Sequence, residues 1–413
     1  MRAEAAGIAA KRRSQGADAT CLEGVHDFVE RSVAPAADVW DARQQIPRDI
    51  IEAVARAGYF GAIVPPEYGG LGLDPLSYGL LHGEIGRGCS SLRSILTVHG
   101  MVVRTIARWG SAVQRETWLP RLAYGELIAG LALSEPNAGS DLSGLETVAT
   151  RVGDTLLLRG RKSWTTAGQL ADVFLVFARL DGQSVALLVE AEQPGLRRLP
   201  VRDLVGVRAS MVAHLELHDC TVPEDSILGR PGFGVSHVGG TALHDGRYTV
   251  AWGCVGAAQA CLEASVAHAS QRRQFQRYLR EHQLVQRMLT NMIVDVESAR
   301  LLCVQAAHDQ ESGGPTSVVS TAMAKYAAAN AFSRASRNAV QIQGAKGCSG
   351  DSAVQRHFRD AKIMEIIEGS NEMQQIMIAQ NSTAWVTGDL ARLDRGLRTR
   401  ARRSRASTRS TVG

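Results

Sequence analysis

The sequence has no run of roughly 18 consecutive apolar residues, so no segment reads as a membrane-spanning helix. It has no CxxC pair either. Its seven cysteines (Cys21, Cys89, Cys220, Cys254, Cys261, Cys303 and Cys348) are odd in number and unpatterned. That argues against a disulfide frame or a thiolate metal site and predicts buried thiols in a reducing cytoplasm. Near the N-terminus, Lys11, Arg12 and Arg13 have no apolar stretch behind them, which is not the pattern of a secretory leader. There is no nucleic-acid-binding motif and no internal repeat, and biased composition is confined to the two ends.

What is present is an ordinary globular composition, 45% hydrophobic and 21% charged over 413 residues. It suffices for a large core and two or three domains. Much of the net charge of +5 comes from the tail, where Arg392–Arg409 holds eight arginines against one Asp. Such a tail reads as solvated and disordered, with attraction to an acidic partner such as a carrier protein or nucleic acid as the alternative.

Between a flexible N-terminal segment (1–21) and the basic tail (391–413), hydrophobic periodicity changes twice. The block 22–128 reads as helical. Residues 49–57 have helical spacing and stop at Gly58, the loop 65–72 is rich in Pro and Gly, and helical pattern resumes near 92–109 and 114–122. The block 129–237 has short apolar or alternating runs at 155–158, 173–178, 185–189 and 212–217, which predict an antiparallel β domain. The block 238–390 is helical again. Apolar pairs at 284–285, 288–289 and 292–293, followed by Val296, predict one buried stripe on a long helix, and 322–335 and 360–379 look similar. Helices on either side of a β block, with almost no βα alternation, argue against a Rossmann fold. Gly69, Gly70 and Gly72 lack the helix and acidic residue of a dinucleotide fingerprint.

Several short segments carry groups suited to chemistry. Leu131-Ala132-Leu133-Ser134-Glu135-Pro136 to Gly139-Ser140-Asp141 opens the β block with small residues and backbone N–H groups that can approach a flat ring or a phosphate; read plainly, it is a polar loop. Trp164-x-Thr166 offers a ring for stacking, or a core indole at a strand end. Arg272-x-Gln274-Phe275 supplies an arginine fork suited to a diphosphate, or a solvated basic helix end. Gln341-x-x-Gly344 follows. Glu368-Gly369-Ser370 sits after an apolar pair, the setting of a carboxylate with a raised pKa and equally of a helix cap.

In this order and spacing, together with Pro65-x-x-Tyr68-Gly69-Gly70, the segments resemble the acyl-CoA dehydrogenase family over roughly residues 22–385. The resemblance implies a mainly α chain with a central β domain: an N-terminal helical domain, a middle β domain and a C-terminal four-helix domain. It implies one FAD per subunit and a homo-oligomer, dimer or tetramer. Leu131, Leu133, Ser134, Gly139 and Ser140 would line the flavin, its phosphates or the thioester, and Trp164 and Thr166 would flank the ring. Arg272, Phe275, Gln341 and Gly344 would hold the diphosphate and adenine half across a subunit boundary, and Ser370 and Glu372 would complete the site. Glu368 would remove the α-proton, with its backbone N–H and a flavin ribityl hydroxyl polarising the thioester carbonyl. An alternative base position in the family, just before the residue matching Arg247, is Gly246 here, which cannot serve. Arg247 would orient base or substrate, or form a buried ion pair.

Arg93 matches the arginine that binds the distal carboxylate in the glutaryl-CoA branch; its plain alternative is pairing with a local acid. The 364–370 and 247–253 segments also look like acyl-carrier-protein dehydrogenases that make alkoxymalonyl extender units. The expected substrate is therefore a short, polar or carboxylated acyl-CoA or acyl-ACP, with Arg93, Ser140, Arg247 and Gly369 around it. Reoxidation would be by an electron-transfer flavoprotein or oxygen. The competing readings are an ordinary short-chain or glutaryl-type acyl-CoA dehydrogenase of catabolism, a flavin monooxygenase on the same fold, which Glu368 disfavours, and a flavin-free scaffold. Three departures stand out: Gln276 and Ala345 replace frequent glycines, and Ala167 replaces a frequent Asn.

Overall fold

The computed structural model describes residues 24–314, 316–383 and 385–386. The N-terminal segment 1–21, Cys21 and the basic tail lie outside the described residues.

The N-terminal helices are α1 (Ala37–Arg43), α2 (Arg48–Arg56), α3 (Pro75–Gly88), α4 (Ser90–Trp109) and α5 (Ala112–Ala123). Local chemistry sets their ends. Gly58, at φ +75°, follows α2 as the sequence pattern predicts. Asp74 caps α3 by accepting from the Ser77 N–H at 2.9 Å, and Pro75 fills the first helical position. Ser111 and Gln114 form a reciprocal capping box on α5.

The middle block is a sheet of β1 (Ala129–Ala132), β2 (Val148–Val152), β3 (Thr155–Thr165), β4 (Val173–Leu180), β5 (Gln183–Glu190), β6 (Leu196–Pro200) and β7 (Ala213–Pro223). Its order is β1-β4-β2-β3-β7-β6, with β5 on the other edge of β4. Most pairs are antiparallel as expected, but β1 and β2 each meet β4 in parallel. The alternation of short runs could not reveal this, because it reports which face is buried and not strand direction. β4 is buried along nearly its whole length and gives no alternation at all.

The C-terminal block holds α6 (Gly240–Gln271), a two-residue-strand hairpin β8 (Arg273–Gln274) and β9 (Arg277–Tyr278), then α7 (Gln283–Glu311), α8 (Ser317–Gln343), α9 (Ala353–Met364) and α10 (Asn371–Gln380). With the turn before it, α6 is long and apolar enough to cross a membrane by length and composition, but most of it is packed inside the protein. It is the central post of the main core, buried from Ala242 to Ala269. Its approach to α3 is backbone to backbone: at Gly256 any Cβ would collide with the Gly83 carbonyl, and at Gly253 the Gly86 Cβ position lies 2.7 Å from the Cα.

Three expectations need correction. On α7 only part of the apolar stripe is buried: Met292 and Val296 are, while Leu284 and Ile293 are 68% and 48% exposed. The span 360–379 is two helices broken at 365–370, because Glu368 and Gly369 take φ of +56° and +87°, which no α-helix allows. Five of the six described cysteines are buried, but Cys348 is exposed.

Candidate active site

The break between α9 and α10 presents Glu368 to the middle of the helical core. Opposite it stands α6. A Cβ at Gly246 would lie inside contact distance of Glu368 Oε2, with Glu368 Cδ at 2.7 Å and Met101 Sδ at 2.9 Å. The absent side chain at 246 is the space that the carboxylate fills. Oε2 is buried and has no hydrogen-bond partner among the described residues. Burial pushes the Glu368 carboxyl up to about 7, against the opposing pull of Arg247, Arg93 and Lys325; Asp245 pushes it further up. A base of that strength is half ionised near neutrality, as proton abstraction requires. The helix-cap alternative does not hold, because Ser370 is the cap residue, accepting from the Met373 N–H. Asp245 is committed elsewhere: its carboxylate pairs with Arg104 at 3.0 Å and accepts from the Tyr78 hydroxyl at 3.3 Å.

The turn is clamped through its carbonyls. Arg247 Nε donates to the Glu368 carbonyl at 3.0 Å, and Gln374 Nε2 donates to the Gly369 carbonyl at 2.9 Å. Arg247 therefore holds the base through its backbone; among the described residues it forms no contact ion pair, although its charge favours the ionised Glu368 carboxylate. Among the described residues no hydrogen bond uses the Glu368 N–H.

From Gly246 a polar seam runs between α6 and α4. Met101, Thr97 and Arg93 succeed one another at i, i−4 spacing on α4 and meet Gly246, Thr249 and Gly253 of α6. Thr97 and Thr249 share a hydrogen bond at 3.1 Å. Arg93 closes the seam, its Cδ 2.7 Å from where a Gly253 Cβ would lie. It is 1% exposed, and its guanidinium donates to Thr97 Oγ1 (3.1 Å) and Ser94 Oγ (2.9 Å) and touches Met364 Sδ (3.1 Å). Among the described residues no acid forms a contact ion pair with it, although Glu368 and Asp360 favour its charged form from further off.

On the sheet side, two sequence-predicted segments come together. The Ser163 N–H donates to the Ser134 carbonyl at 2.8 Å. Beneath them Lys162 and Glu135 form a fully buried ion pair at 2.6 Å. Glu135 also accepts from the Glu146 and Thr147 N–H groups, so one carboxylate folds the whole 134–147 loop. Leu133 is a core residue, 7% exposed, whose carbonyl accepts from Lys162 Nζ at 3.4 Å. Leu131 and Ser134 are half-buried, Gly139 and Ser140 exposed. Trp164 is not a core indole: it is 60% exposed at φ +60°, edge-on to His214. Thr166 beside it is half-buried.

A second group lies far away. Arg272 and Phe275 follow the end of α6, and Gln341 and Gly344 end α8. His268 feels both Arg272 and Lys346, which places these ends side by side. Phe275 is 90% exposed. Phe275 and Gln276 both have positive φ, +50° and +63°, the left-handed region that favours glycine. About 38 Å of unbroken helix, at 1.5 Å per residue, separates Gly246 from the end of α6. Glu372 is exposed on the first turn of α10.

A flat redox ring fits the first group. Trp164 offers an open aromatic face, a Cβ on Gly139 would meet nothing within 4 Å, and a buried carboxylate waits without a partner. Sequence reading missed Thr97, Thr249, Met364, Lys162 and Lys325. Only Lys325 left a signal, as the sole charge between Ser317 and Ser333.

Comparison with known proteins shows the family. Family models described as acyl-CoA dehydrogenase N-terminal, middle and C-terminal domains match residues 18–126, 130–220 and 232–383. A glutaryl-CoA dehydrogenase of Desulfococcus multivorans is 36% identical over 365 residues, 86% of this chain and 93% of that one. Among solved structures, FkbI, for biosynthesis of the methoxymalonyl extender unit of the Fk520 polyketide, is 37% identical with a TM-score of 0.81, covering 88% of this chain and 99% of its own. A glutaryl-CoA dehydrogenase of Mycobacterium smegmatis in complex with FADH2 is 28% identical with a TM-score of 0.84, covering 89% and 94%. Matched along nearly its whole described length, this chain belongs to the acyl-CoA dehydrogenase family, oxidoreductases of CH–CH groups whose cofactor is FAD.

Proposed function

We propose that the enzyme dehydrogenates the α,β bond of a short acyl thioester with a carboxylate or similarly polar group at its far end, carried on CoA or an acyl carrier protein, as in the making of alkoxymalonyl extender units. The observation that carries this reading is Arg93: a buried guanidinium that forms no contact ion pair among the described residues, at the end of the seam that starts at Glu368, with Glu368 and Asp360 acting on its charge only from further off. Gly246 and Gly253 mark the two ends, about 10.5 Å apart along the helix. That span suits an acyl group of a few carbons whose terminal anion meets Arg93, because a buried cation without a contact ion pair is costly until such an anion arrives. The likeness to FkbI and to glutaryl-CoA dehydrogenases supports the same class.

Glu368 takes the α-proton, and its free N–H is placed to donate to the thioester carbonyl; one such donor is worth about 3 kcal/mol where water is excluded. Bound FAD supplies the acceptance of the β-hydride. Leu131, Ser134, Trp164 and Thr166 would hold its ring, and the backbone at Leu133, Gly139 and Ser140 its phosphates or the thioester. Arg272, Phe275, Gln341 and Gly344 are too far along α6 to reach the same cofactor and would serve one bound mainly by another copy. The exposed Leu284, Val294 and Leu301 of α7 are consistent with such a homo-oligomer. An electron-transfer flavoprotein is the proposed reoxidant, with oxygen as the competing acceptor.

Anaerobic bleaching of the flavin against matched CoA and carrier-protein thioesters tests the reading. Carboxylated chains are expected to bleach about 100-fold faster than aliphatic chains of equal length, from roughly 3 kcal/mol of charge-assisted hydrogen bonding. Arg93→Met is expected to remove that preference. Unchanged selectivity in Arg93→Met would refute it.

A further inference from the structure

The side chain of Glu368 makes no hydrogen bond at Oε2, so its aim must come from the backbone that carries it. That backbone is an irregular turn with two consecutive left-handed residues, closed by one backbone bond of its own, from the Asn371 N–H to the Glu365 carbonyl at 2.8 Å. Lys325, in the middle of α8 and wholly buried, reaches it from below. Its Nζ donates to the Gly369 carbonyl at 3.0 Å, to Asn371 Oδ1 at 3.2 Å and to the Glu365 carbonyl at 3.4 Å. Three acceptors match the three protons of an ammonium, and they bracket Glu368 on both sides in the chain. Arg247 and Gln374 each hold only one edge of the turn.

We propose that Lys325 is a positioning residue for proton abstraction: its ammonium fixes the turn that aims Glu368, and its charge favours the ionised carboxylate. The proposal rests on the reading of Glu368 as the base. The charged groups facing Glu368 are Arg247 and Asp245 of α6, Arg93 of α4 and Lys325 of α8. Those facing Lys325 are Cys254 and Arg247 of α6 and Glu365 and Glu368 of the turn. Burial brings the ammonium down to about 8, and the nearby Cys254 and Glu368 oppose that fall. The charge is therefore still present at neutral pH, where the base must be ionised.

The test separates proton abstraction from hydride transfer. 3-Thiaglutaryl-CoA and 3-thiabutyryl-CoA have α-protons but sulfur at the β position, so exchange of their α-protons into D2O, followed by NMR on the FAD-loaded enzyme, reports the base alone. Lys325→Met is expected to slow exchange about 100-fold at pH 7, to move the pH at which exchange turns on upward by about one pH unit, and to leave the probe's Kd within about threefold. Lys325→Gln, which keeps a donor without the charge, is expected to recover part of the plateau rate while keeping the displaced pH profile. Should Lys325→Met fail to fold, Lys325→Gln carries the test. An unchanged pH profile, with any loss of rate following only loss of flavin or a lower melting temperature, would overturn the proposal. Glu368→Gln run in parallel distinguishes the two readings: exchange surviving in that variant removes Glu368 as the base, whereas exchange lost there but normal in both Lys325 variants removes only the role of Lys325.

Discussion

Replacing Gly246 with Ala puts a methyl group where the Glu368 carboxylate now sits. The new Cβ would fall 2.7 Å from Glu368 Cδ and 2.9 Å from Met101 Sδ, and nearer still to Oε2. Ordinary carbon contacts start near 3.5 Å, so the carboxylate must withdraw by roughly 1 Å. A displacement of that size at a reacting group costs about 100-fold in rate. Helix propensity acts in the other direction: Gly to Ala inside α6 favours the helix by about 1 kcal/mol, which offsets part of the steric strain. The expected outcome is a melting temperature close to that of the parent, full flavin content, and anaerobic bleaching about 100-fold slower at saturating thioester. A variant with parental bleaching and normal cofactor would mean that the working carboxylate does not occupy the space beside Gly246.

The remaining expectations concern pH and the sheet side of the site. Because Glu368 must be ionised to act and burial lifts it to about 7, kcat/KM is expected to rise with pH through that value in stopped-flow measurements, and a limb near the ordinary carboxylate range would contradict the burial. The same shift has a stability sign: the folded protein favours the neutral carboxyl, so this group's contribution is complete below the ordinary carboxylate pKa and is lost as pH rises toward about 7. Glu135→Gln leaves the Lys162 ammonium buried without its partner and is expected to cost about 3 kcal/mol in denaturant unfolding and to release flavin; unchanged stability would show that the 134–147 loop is held by other means.

The parts of this protein that could be read from its sequence are those whose physics is local. The Gly58 stop, the periodicity of α4 and α5 and the short β runs each depend on near neighbours in the chain. The helix break at 365–370 was invisible, because residues 360–379 keep a helical pattern and only the left-handed pair at Glu368-Gly369 interrupts it. The exposed half of the α7 stripe misled for a different reason: periodicity records that a face is apolar, not whether it is covered by the same chain. In the site, Glu368, Trp164 and Ser134 were found through a family pattern, and geometry supplied the reasons. The carboxylate is set by an absent side chain at 246, the loop by a buried Glu135–Lys162 pair, and Arg93 is distinguished by the contact ion pair it lacks among the described residues. Each of these depends on residues distant in sequence, which spacing alone does not bring together.

The central claim is that a buried carboxylate at 368 removes the proton that starts the reaction. Glu368→Gln keeps the size of the side chain and the backbone clamp from Arg247 while removing the base. With FAD fully bound and its absorption spectrum unchanged, the rate of anaerobic bleaching by the preferred thioester is expected to fall by about 1,000-fold or more. Bleaching at the parental rate in that fully loaded variant would contradict the account.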